Sequence, residues 1–347
     1  MRLNTQQQQA VELVDAPLLV LAGAGSGKTR VITKKIGHLI DSCGFRPERI
    51  VAVTFTNKAA REMQSRLVIK KRQQEKRKPV ISTFHMLGLN IIRHSPRSWE
   101  LNSGFTIYAK DDSQVILAEL TRKHKMHHVG TVEQLAWRIS ALKAAMETPE
   151  SLIKNAATDV DFSTGKLFAD YQKTLQSMNV LDLDDLIYLP VTRFKQDRGL
   201  LLEWQEKIEY MLVDEYQDTN SAQYELLKLL TRHHQRFTVV GDDDQSIYSW
   251  RGANPDNLNR LAQDHSKLKI IKLEQNYRST KRILLAANSL IEKNTHLYAK
   301  SLWSQLEIGE PIRVMQASDE HDEAEKVVKA IYAHQLSTAE PYHHYAI

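Results

Sequence analysis

The chain has 347 residues, of which 42% are hydrophobic, so it can bury ordinary globular cores. Lys and Arg number 47 against 42 Asp and Glu, and this mild basic excess is a weak indication of an anionic partner. The single cysteine excludes an internal disulfide, the Cys/His spacing of a zinc site is missing, and no apolar run reaches the roughly 20 residues that span a bilayer. We therefore expect an intracellular, cytoplasmic protein.

Six short apolar runs, each followed by polar or glycine residues, are typical of buried parallel strands. They lie at 17–23, 50–55, 80–84, 210–215, 237–242 and 270–276. Helical patterns follow several of them, at 28–41, 57–67, 222–231 and 281–293. Strands and helices in alternation predict an α/β fold with a mostly parallel sheet, whose chemistry lies beyond the carboxyl ends of the strands.

Two regions depart from this alternation. Residues 87–205 carry long helical patterns and almost no strand-like runs, which predicts a helical segment inserted into the α/β domain. A new unit begins near 279, where a strand at 311–317 and a helix at 319–334 are expected. The final residues, HHYAI, look like the start of another strand, so we expect the polypeptide to be truncated at its carboxyl end.

The segment GAGSGKT matches the phosphate-binding pattern G-x-x-x-x-G-K-[ST], between a predicted strand and a predicted helix. Glycines let backbone N–H groups turn toward phosphate oxygens, and the helix presents its positive end. Lys28 is then placed for the β- and γ-phosphates and Thr29 for magnesium. The alternative, a glycine-rich turn without a ligand, is disfavoured by the flanking elements. The predicted nucleotide-binding loop is Gly23, Ala24, Gly25, Ser26, Gly27, Lys28, Thr29 and Arg30.

The apolar run at 210–215 ends in an acidic pair. Asp214 is placed to hold magnesium, and Glu215 to orient the attacking water as a general base. An isolated Asp-Glu pair is more often a solvated turn, but this one follows a buried strand in a chain that also has a phosphate loop. The two segments together predict hydrolysis of a nucleoside triphosphate.

The segment VVGDDDQSIYSWRGA joins such a site to aromatic residues. Gln245 can sense the γ-phosphate, and Trp250, a few residues later, can stack on a nucleic-acid base beside Tyr248 and Arg251. The two aromatic residues would alternatively lie in a core. Their neighbours are Asp, Gln, Ser and Arg, which disfavours that alternative.

Two other strand ends place hydroxyl groups beside an aromatic ring. The residues concerned are Thr54, Phe55, Thr56 and Asn57 in TFTN, and Thr83, Phe84 and His85 in STFH. Neutral donors and a ring form a surface that binds single strands of any sequence. Each pattern alone is more often ordinary capping. Two copies together with Trp250 favour a nucleic-acid path.

The segment QNYRST supplies Tyr277, which can stack on a nucleotide base, and Arg278, which can stabilise charge on the γ-phosphate. The alternative is a packed tyrosine beside a surface arginine. A basic run at 68–78 can contact a phosphate backbone, although a solvated segment is the favoured interpretation.

The order and spacing of these motifs resemble the UvrD/Rep family of superfamily 1 DNA helicases. The matching segments are LNTQQQQAV, AGAGSGKTR, TFTNKAAREM, STFH, LDLDDLI, LVDEYQDTN, GDDDQSIYSWRGA and LEQNYRST. The resemblance implies an enzyme that uses ATP and Mg²⁺ to move 3′ to 5′ on single-stranded DNA in replication or repair. It implies 3′-tailed duplex DNA as a further substrate, association with the bacterial nucleoid, and self-association or replication and repair proteins as candidate partners.

The resemblance also assigns roles to single residues. Gln7 is similar to the glutamine that recognises adenine and Tyr277 to the tyrosine that stacks on it. Gln245 resembles the γ-phosphate sensor, and Arg278 an arginine finger. The residues that match the path of single-stranded DNA are Phe55, His85, Tyr248 and Trp250.

The family fold implies RecA-like domains of the P-loop NTPase class. Residues 1–86 and 206–278 are expected to form the ATP-binding domain, 87–205 its inserted helical subdomain, and 279–347 the beginning of a second RecA-like domain. The later motifs of the family are missing, so we expect the 347-residue polypeptide to bind ATP weakly and to unwind DNA poorly. Two rival classes stay open, namely a phosphate-loop kinase or GTPase without a nucleic-acid role, and a non-catalytic module that binds ATP and DNA.

Overall fold

The six apolar runs form one six-stranded parallel sheet in the order β3-β2-β6-β7-β1-β8. The computed structural model describes residues 2–67, 77–294 and 298–347. The strands are β1 (Leu18–Ala22), β2 (Ile50–Thr54), β3 (Val80–Thr83), β4 (Thr106–Ile107), β5 (Val180–Leu181), β6 (Tyr210–Val213), β7 (Phe237–Gly241), β8 (Lys269–Leu273), β9 (Gln275–Asn276) and β10 (Trp303–Ser304). The predicted α/β fold with a mostly parallel sheet is confirmed.

The helices lie between and after these strands. They are α1 (Thr5–Glu12), α2 (Lys28–Asp41), α3 (Asn57–Arg66), α4 (Phe84–His94), α5 (Lys110–Lys123), α6 (Val132–Ala144), α7 (Pro149–Lys154), α8 (Asp159–Ser177), α9 (Asp185–Gln196), α10 (Arg198–Lys207), α11 (Ser221–Thr231), α12 (Asn257–Asp264), α13 (Lys281–Ile291) and α14 (Glu320–Thr338). Within the described ranges, no helix has both the length and the apolar character needed to cross a bilayer.

Both faces of the four inner strands are buried, which explains why these strands are continuous apolar runs rather than alternating ones. In β1, Leu18 and Val20 point to a core formed with α1, α2 and α3, whereas Leu19 and Leu21 point to a core formed with α4, α9 and α11. Because all six strands are parallel, their carboxyl ends lie along one edge of the sheet. The loops that follow β1, β2, β6 and β7 therefore meet there.

The chain between β3 and β6 is almost entirely helical, as predicted for residues 87–205. It has its own apolar cluster, built from α5, α6, α8 and β5. One fully buried cation, Lys143, lies beside that cluster and donates to Asp182 at 2.5 Å and to Asp185 at 2.8 Å. These carboxylates come from the LDLDDLI segment, so that segment joins α6 to the start of α9 through an ion pair.

Two predictions for the last part of the chain are wrong. Residues 311–317 do not form a strand, and the side chain of Val314 is 94% exposed. The HHYAI residues do not begin a strand either, because Tyr342–His344 form a single 3₁₀ turn. A strand requires a neighbour for its backbone N–H and C=O groups, and the described residues provide none for either segment.

The basic run at 68–78 falls largely outside the described residues, which resume at residue 77. Arg77, at its end, donates to Glu48 at 2.7 Å. The prediction for the remainder of the run stays a prediction.

Candidate nucleotide and nucleic-acid site

The glycine-rich loop connects β1 to α2 in a conformation that requires glycine. Gly25 and Gly27 have φ angles of 71° and 91°, a region that side chains with a Cβ disfavour. A Cβ on Gly25 would lie 2.7 Å from Nδ2 of Asn276, and one on Gly27 would lie 2.9 Å from Nε2 of Gln7. The loop is thus closely covered on two sides, and its backbone fits the cradle that a phosphate group requires.

Gln7 holds this loop from α1. Its side chain is fully buried, and its Nε2 donates to the carbonyl oxygen of Ser26 at 2.9 Å. Its Oε1 accepts from the backbone N–H of Asn4 at 3.1 Å, and Asn4 in turn donates to the hydroxyl of Tyr277 at 2.8 Å. The structure therefore brings together the two residues expected at the base of the nucleotide. Asn4 was not among the predicted residues, although it begins the N-x-x-Q capping box of the sequence.

The segment after β9 approaches the loop from the other side. Asn276 donates to the carbonyl oxygen of Ala24 at 2.7 Å, and the N–H of Tyr277 donates to that of Gly25 at 3.0 Å. A Cβ on Gly25 would lie 2.8 Å from Cβ of Arg278, whose side chain is exposed. Both predicted residues of QNYRST are thus placed beside the phosphate loop, and Asn276, which sequence analysis missed, holds them there.

Lys28 and Glu215 form an ion pair, with 2.8 Å between Nζ and Oε2. Asp214, directly after β6, is buried, and its carboxylate accepts from the N–H of Glu215 at 3.0 Å. Burial, together with the neighbouring charge of Glu215, raises the pKa of Asp214 to about 6. Lys28 thus pairs with Glu215, the buried Asp214 carboxylate lies next to Glu215 in the chain, and Thr29 lies in the first turn of α2. This oxygen-rich, negatively charged donor set fits Mg²⁺.

Gln217 connects the acidic pair to the predicted phosphate sensor. Its Nε2 donates to Oε2 of Glu215 at 2.9 Å, and its Oε1 accepts from the N–H of Asp242 at 3.0 Å. The side chain of Gln245 donates to the carboxylate of Asp242. The predicted base and the predicted sensor are therefore linked by two residues that sequence analysis did not single out. Asp242 directly follows the apolar strand β7, and Gln217 lies in the 3₁₀ turn after the acidic pair.

Aromatic side chains from two loops form a cluster beyond the sheet edge. The ring of Phe55 stacks on that of Tyr248, with 5.1 Å between centroids and 21° between planes. Trp250 is 68% exposed, and its ring centroid lies 6.3 Å from that of Tyr248. The guanidinium of Arg251 lies 5.4 Å from the Trp250 centroid. This is an exposed surface of rings and one cation, which suits bases and phosphates of a single strand.

Three predicted hydroxyl groups have structural partners. Thr56 accepts from the N–H of Ala59 at 3.1 Å and caps α3, and Thr83 accepts from that of Met86 at 3.3 Å and caps α4. Thr54 is buried and donates to the carbonyl oxygen of Thr56 at 3.0 Å. Capping, the alternative interpretation of both segments, therefore describes the hydroxyl groups of Thr56 and Thr83, whereas that of Thr54 bonds within its own loop.

The other residues predicted to contact nucleic acid differ in whether their side chains are exposed. Asn57 and His85 are exposed in the first turns of α3 and α4. Desolvation lowers the pKa of the His85 ring. Phe84 is only 5% exposed and packs in the core beneath α4. Its ring is not accessible to a base, contrary to the expectation of a stacking contact there.

In this site, the loop after β7 connects the glycine-rich loop, through the acidic pair, to the surface formed by Phe55, Tyr248 and Trp250. The family model described as UvrD/REP helicase N-terminal domain matches residues 3–266, and that described as UvrD-like helicase C-terminal domain matches residues 271–347. The chain belongs to the UvrD/REP helicase family. The resemblance of the motifs is thereby confirmed, and the α/β fold agrees with the RecA-type domain of this family.

Curated relatives in the UvrD/REP family match along the whole chain. It is 49% identical to the ATP-dependent DNA helicase Rep of Escherichia coli (strain K12) over 347 residues, which are 100% of this chain and 52% of that protein. It is 40% identical to the ATP-dependent DNA helicase PcrA of Staphylococcus epidermidis over 336 residues, which are 96% of this chain and 46% of that protein. The chain thus spans about half the length of the curated relatives that it matches.

Proposed function

We propose that this chain binds ATP with Mg²⁺ and couples its hydrolysis to 3′-to-5′ movement on single-stranded DNA, as part of a helicase. Lys28 and Thr29 would hold the phosphates and the metal, together with Asp214. Glu215 would orient the attacking water as general base. The magnesium ion, when bound, neutralises charge on the phosphates and on the leaving group.

The observation that carries this proposal is the double attachment of the loop after β7. At its start, Gln245 is bonded to Asp242, which is joined through Gln217 to Glu215. At its end, Tyr248 stacks on Phe55 beside the exposed Trp250. A change at the phosphate site would therefore move the surface proposed for DNA directly. Coupling between the two would not need a chain of contacts through the rest of the domain.

Other residues complete the proposed site. Gln7 and Tyr277 would contact the adenine, and Arg278, exposed beside the phosphate loop, would stabilise charge on the γ-phosphate. Asn57, His85 and the Phe55–Trp250 cluster would line the path of the strand. Phosphate contacts there would come from Arg251 and from neutral donors, which bind without regard to sequence.

The boundaries of the domains are part of the proposal. Residues 1–86 and 206–278 would form the RecA-like ATP-binding domain, 87–205 an inserted subdomain and 279–347 the start of a second RecA-like domain. The sheet is built from the first two ranges, which supports this division. Single-stranded DNA and 3′-tailed duplexes are the proposed substrates, and self-association or contacts with replication or repair proteins at the nucleoid are proposed by analogy with the family.

ATP turnover with and without oligo(dT) tests the function. In wild type, we expect slow turnover that the oligonucleotide stimulates. The Glu215→Gln variant should lose roughly 100-fold or more in turnover, since a general base contributes on that order, and should still bind ATP. Glu62→Gln is the matched control, because Glu62 lies on the exposed face of α3 in a surface ion pair. Duplexes with 3′ or 5′ tails report the polarity of any unwinding.

Turnover that neither oligo(dT) nor Glu215→Gln alters would contradict the proposal. Binding of both ATP and DNA without any hydrolysis would identify a binding module instead.

A further inference from the structure

The three consecutive aspartates after β7 surround one buried cation. The carboxylates of Asp242, Asp243 and Asp244 lie within 4.8 Å of one another. The ammonium group of Lys300 contacts all three, at 2.8 Å for Asp244, and its side chain is 5% exposed. Burial disfavours the charged ammonium, but the carboxylates raise the pKa of Lys300 above its usual value. Lys300 is therefore charged and neutralises part of this cluster.

Lys300 comes from a segment that is firmly attached to the sheet. The carbonyl oxygen of Ala299 accepts from Lys272 at 2.6 Å, and the N–H of Ser301 donates to the carboxylate of Glu274 at 3.0 Å. The next strand, β10, pairs in parallel with β9. The position of the ammonium group is thus set by contacts outside the aspartate loop.

The same segment reaches the start of the phosphate loop. A Cβ on Gly23 would lie 2.5 Å from Cδ2 of Leu302, so this leucine closely covers the loop. Leu302 is held in turn by Asn288 of α13, which donates to its carbonyl oxygen at 2.8 Å. Residues 299–304 therefore contact both loops of the nucleotide site, at Gly23 and at the aspartates.

We propose that Lys300 is a positioning residue, which holds the loop after β7 and thereby sets the place of Gln245 at the nucleotide site. Asp242 is the connecting group, because it accepts from both Lys300 and Gln245 while its N–H donates to Gln217. An effect of Lys300 on ATP turnover rests on the proposed ATPase function. The effect of Lys300 on the position of the loop after β7 does not, since it follows from these contacts alone.

Hydrogen exchange of the peptides that cover residues 241–253 tests the positioning directly. In Lys300→Met, which keeps the apolar stem, we expect these amides to exchange at least about tenfold faster, because several charge-assisted hydrogen bonds are lost. Lys300→Arg should retain most of the protection. Lys267→Met is the matched control: it removes an exposed lysine from the turn before β8 and should leave exchange at 241–253 near the wild-type rate.

ATP turnover provides the second measurement. Lys300→Met should lower kcat by about tenfold, as expected for a misplaced catalytic group, with little change in KM for ATP. Lys300→Arg should recover most of that loss. Unchanged exchange in Lys300→Met, or an equal increase in Lys267→Met, would overturn the positioning role. If wild type itself lacks turnover, the proposed function fails, and the exchange result still decides the role of Lys300.

Loss of a cation from among buried carboxylates can also prevent folding. In that case the double variant Lys300→Gln, Asp243→Asn, which leaves less unpaired charge, replaces Lys300→Met. The same faster exchange confined to 241–253 is expected, and wild-type exchange there would overturn the proposal.

Discussion

Phe55 stacks on Tyr248 across the carboxyl edge of the sheet, with 5.1 Å between their ring centroids. Phe55 directly follows β2 and Tyr248 lies in the loop after β7, and these strands are separated in the sheet by β6. The contact thus bridges the loop that follows β6, where Glu215 lies. It ties the proposed DNA surface to the strand ends that carry the proposed chemistry.

Replacing Phe55 by alanine should weaken the binding of single-stranded DNA. Stacking of one base on an aromatic ring contributes about 1–3 kcal/mol, so the Kd should rise about 5- to 150-fold. Anisotropy of a labelled oligo(dT) at fixed salt measures this. Tyr332→Ala, an exposed aromatic residue of α14, is the control and should bind as wild type does. Equal Kd values for Phe55→Ala and wild type would remove this cluster from the path.

Replacing Lys28 by methionine should abolish most ATP binding. The ammonium group would be the main cation available to the phosphates in this loop, and a hydrogen bond to a charged group contributes about 1.5–3 kcal/mol. We expect the Kd for ATP to rise about tenfold or more in titration calorimetry. Lys34→Met changes an exposed lysine of the same helix and should have no effect. A Kd that Lys28→Met leaves unchanged would exclude this loop as the phosphate site.

Buried Lys35 should make stability depend on pH. Its Nζ donates to the carbonyl oxygens of Ala10, at 2.8 Å, and Leu13, and burial lowers its pKa from 10.5 to about 7. Between these values the unfolded chain binds a proton that the folded chain lacks, so stability rises with pH across that window.

Urea unfolding at about pH 7 and about pH 9 measures this contribution. The gain in free energy of unfolding on raising the pH should be about 2 kcal/mol larger in wild type than in Lys35→Met. Lys34→Met should show the wild-type gain. The same gain in Lys35→Met as in wild type would mean that Lys35 keeps an ordinary pKa in the folded state.

Replacing Lys143 by methionine should strongly destabilise the fold. It would leave Asp182 and Asp185 buried without their cation, and breaking a buried ion pair in this way costs about 3–5 kcal/mol. Chemical denaturation measures the loss, with the exposed Lys154→Met as control. Changing both aspartates to asparagine in the Lys143→Met background should recover part of it. A loss below about 1 kcal/mol would show that the carboxylates find other partners.

The sheet was predictable because its four inner strands, β1, β2, β6 and β7, are buried on both faces and so form continuous apolar runs. The same reasoning failed at 311–317, where alternating apolar residues such as Val314 are exposed. An apolar run indicates that a segment can form a strand. Whether it does depends on a neighbouring strand from elsewhere in the chain with which it can pair. Phe84 illustrates the same limit for a side chain, since its motif did not indicate whether the ring faces the core or the surface.

The sequence by itself determined the chemical groups of the site and their order along the chain. Gly25, Gly27 and Lys28 could be assigned locally, because a phosphate loop depends on backbone conformations that only certain residues adopt. Contacts between distant segments were decided by the tertiary structure alone. Gln217 reaches Asp242, and Lys300 reaches the aspartates, because the strand order brings the carboxyl ends together and the segment after α13 returns to them.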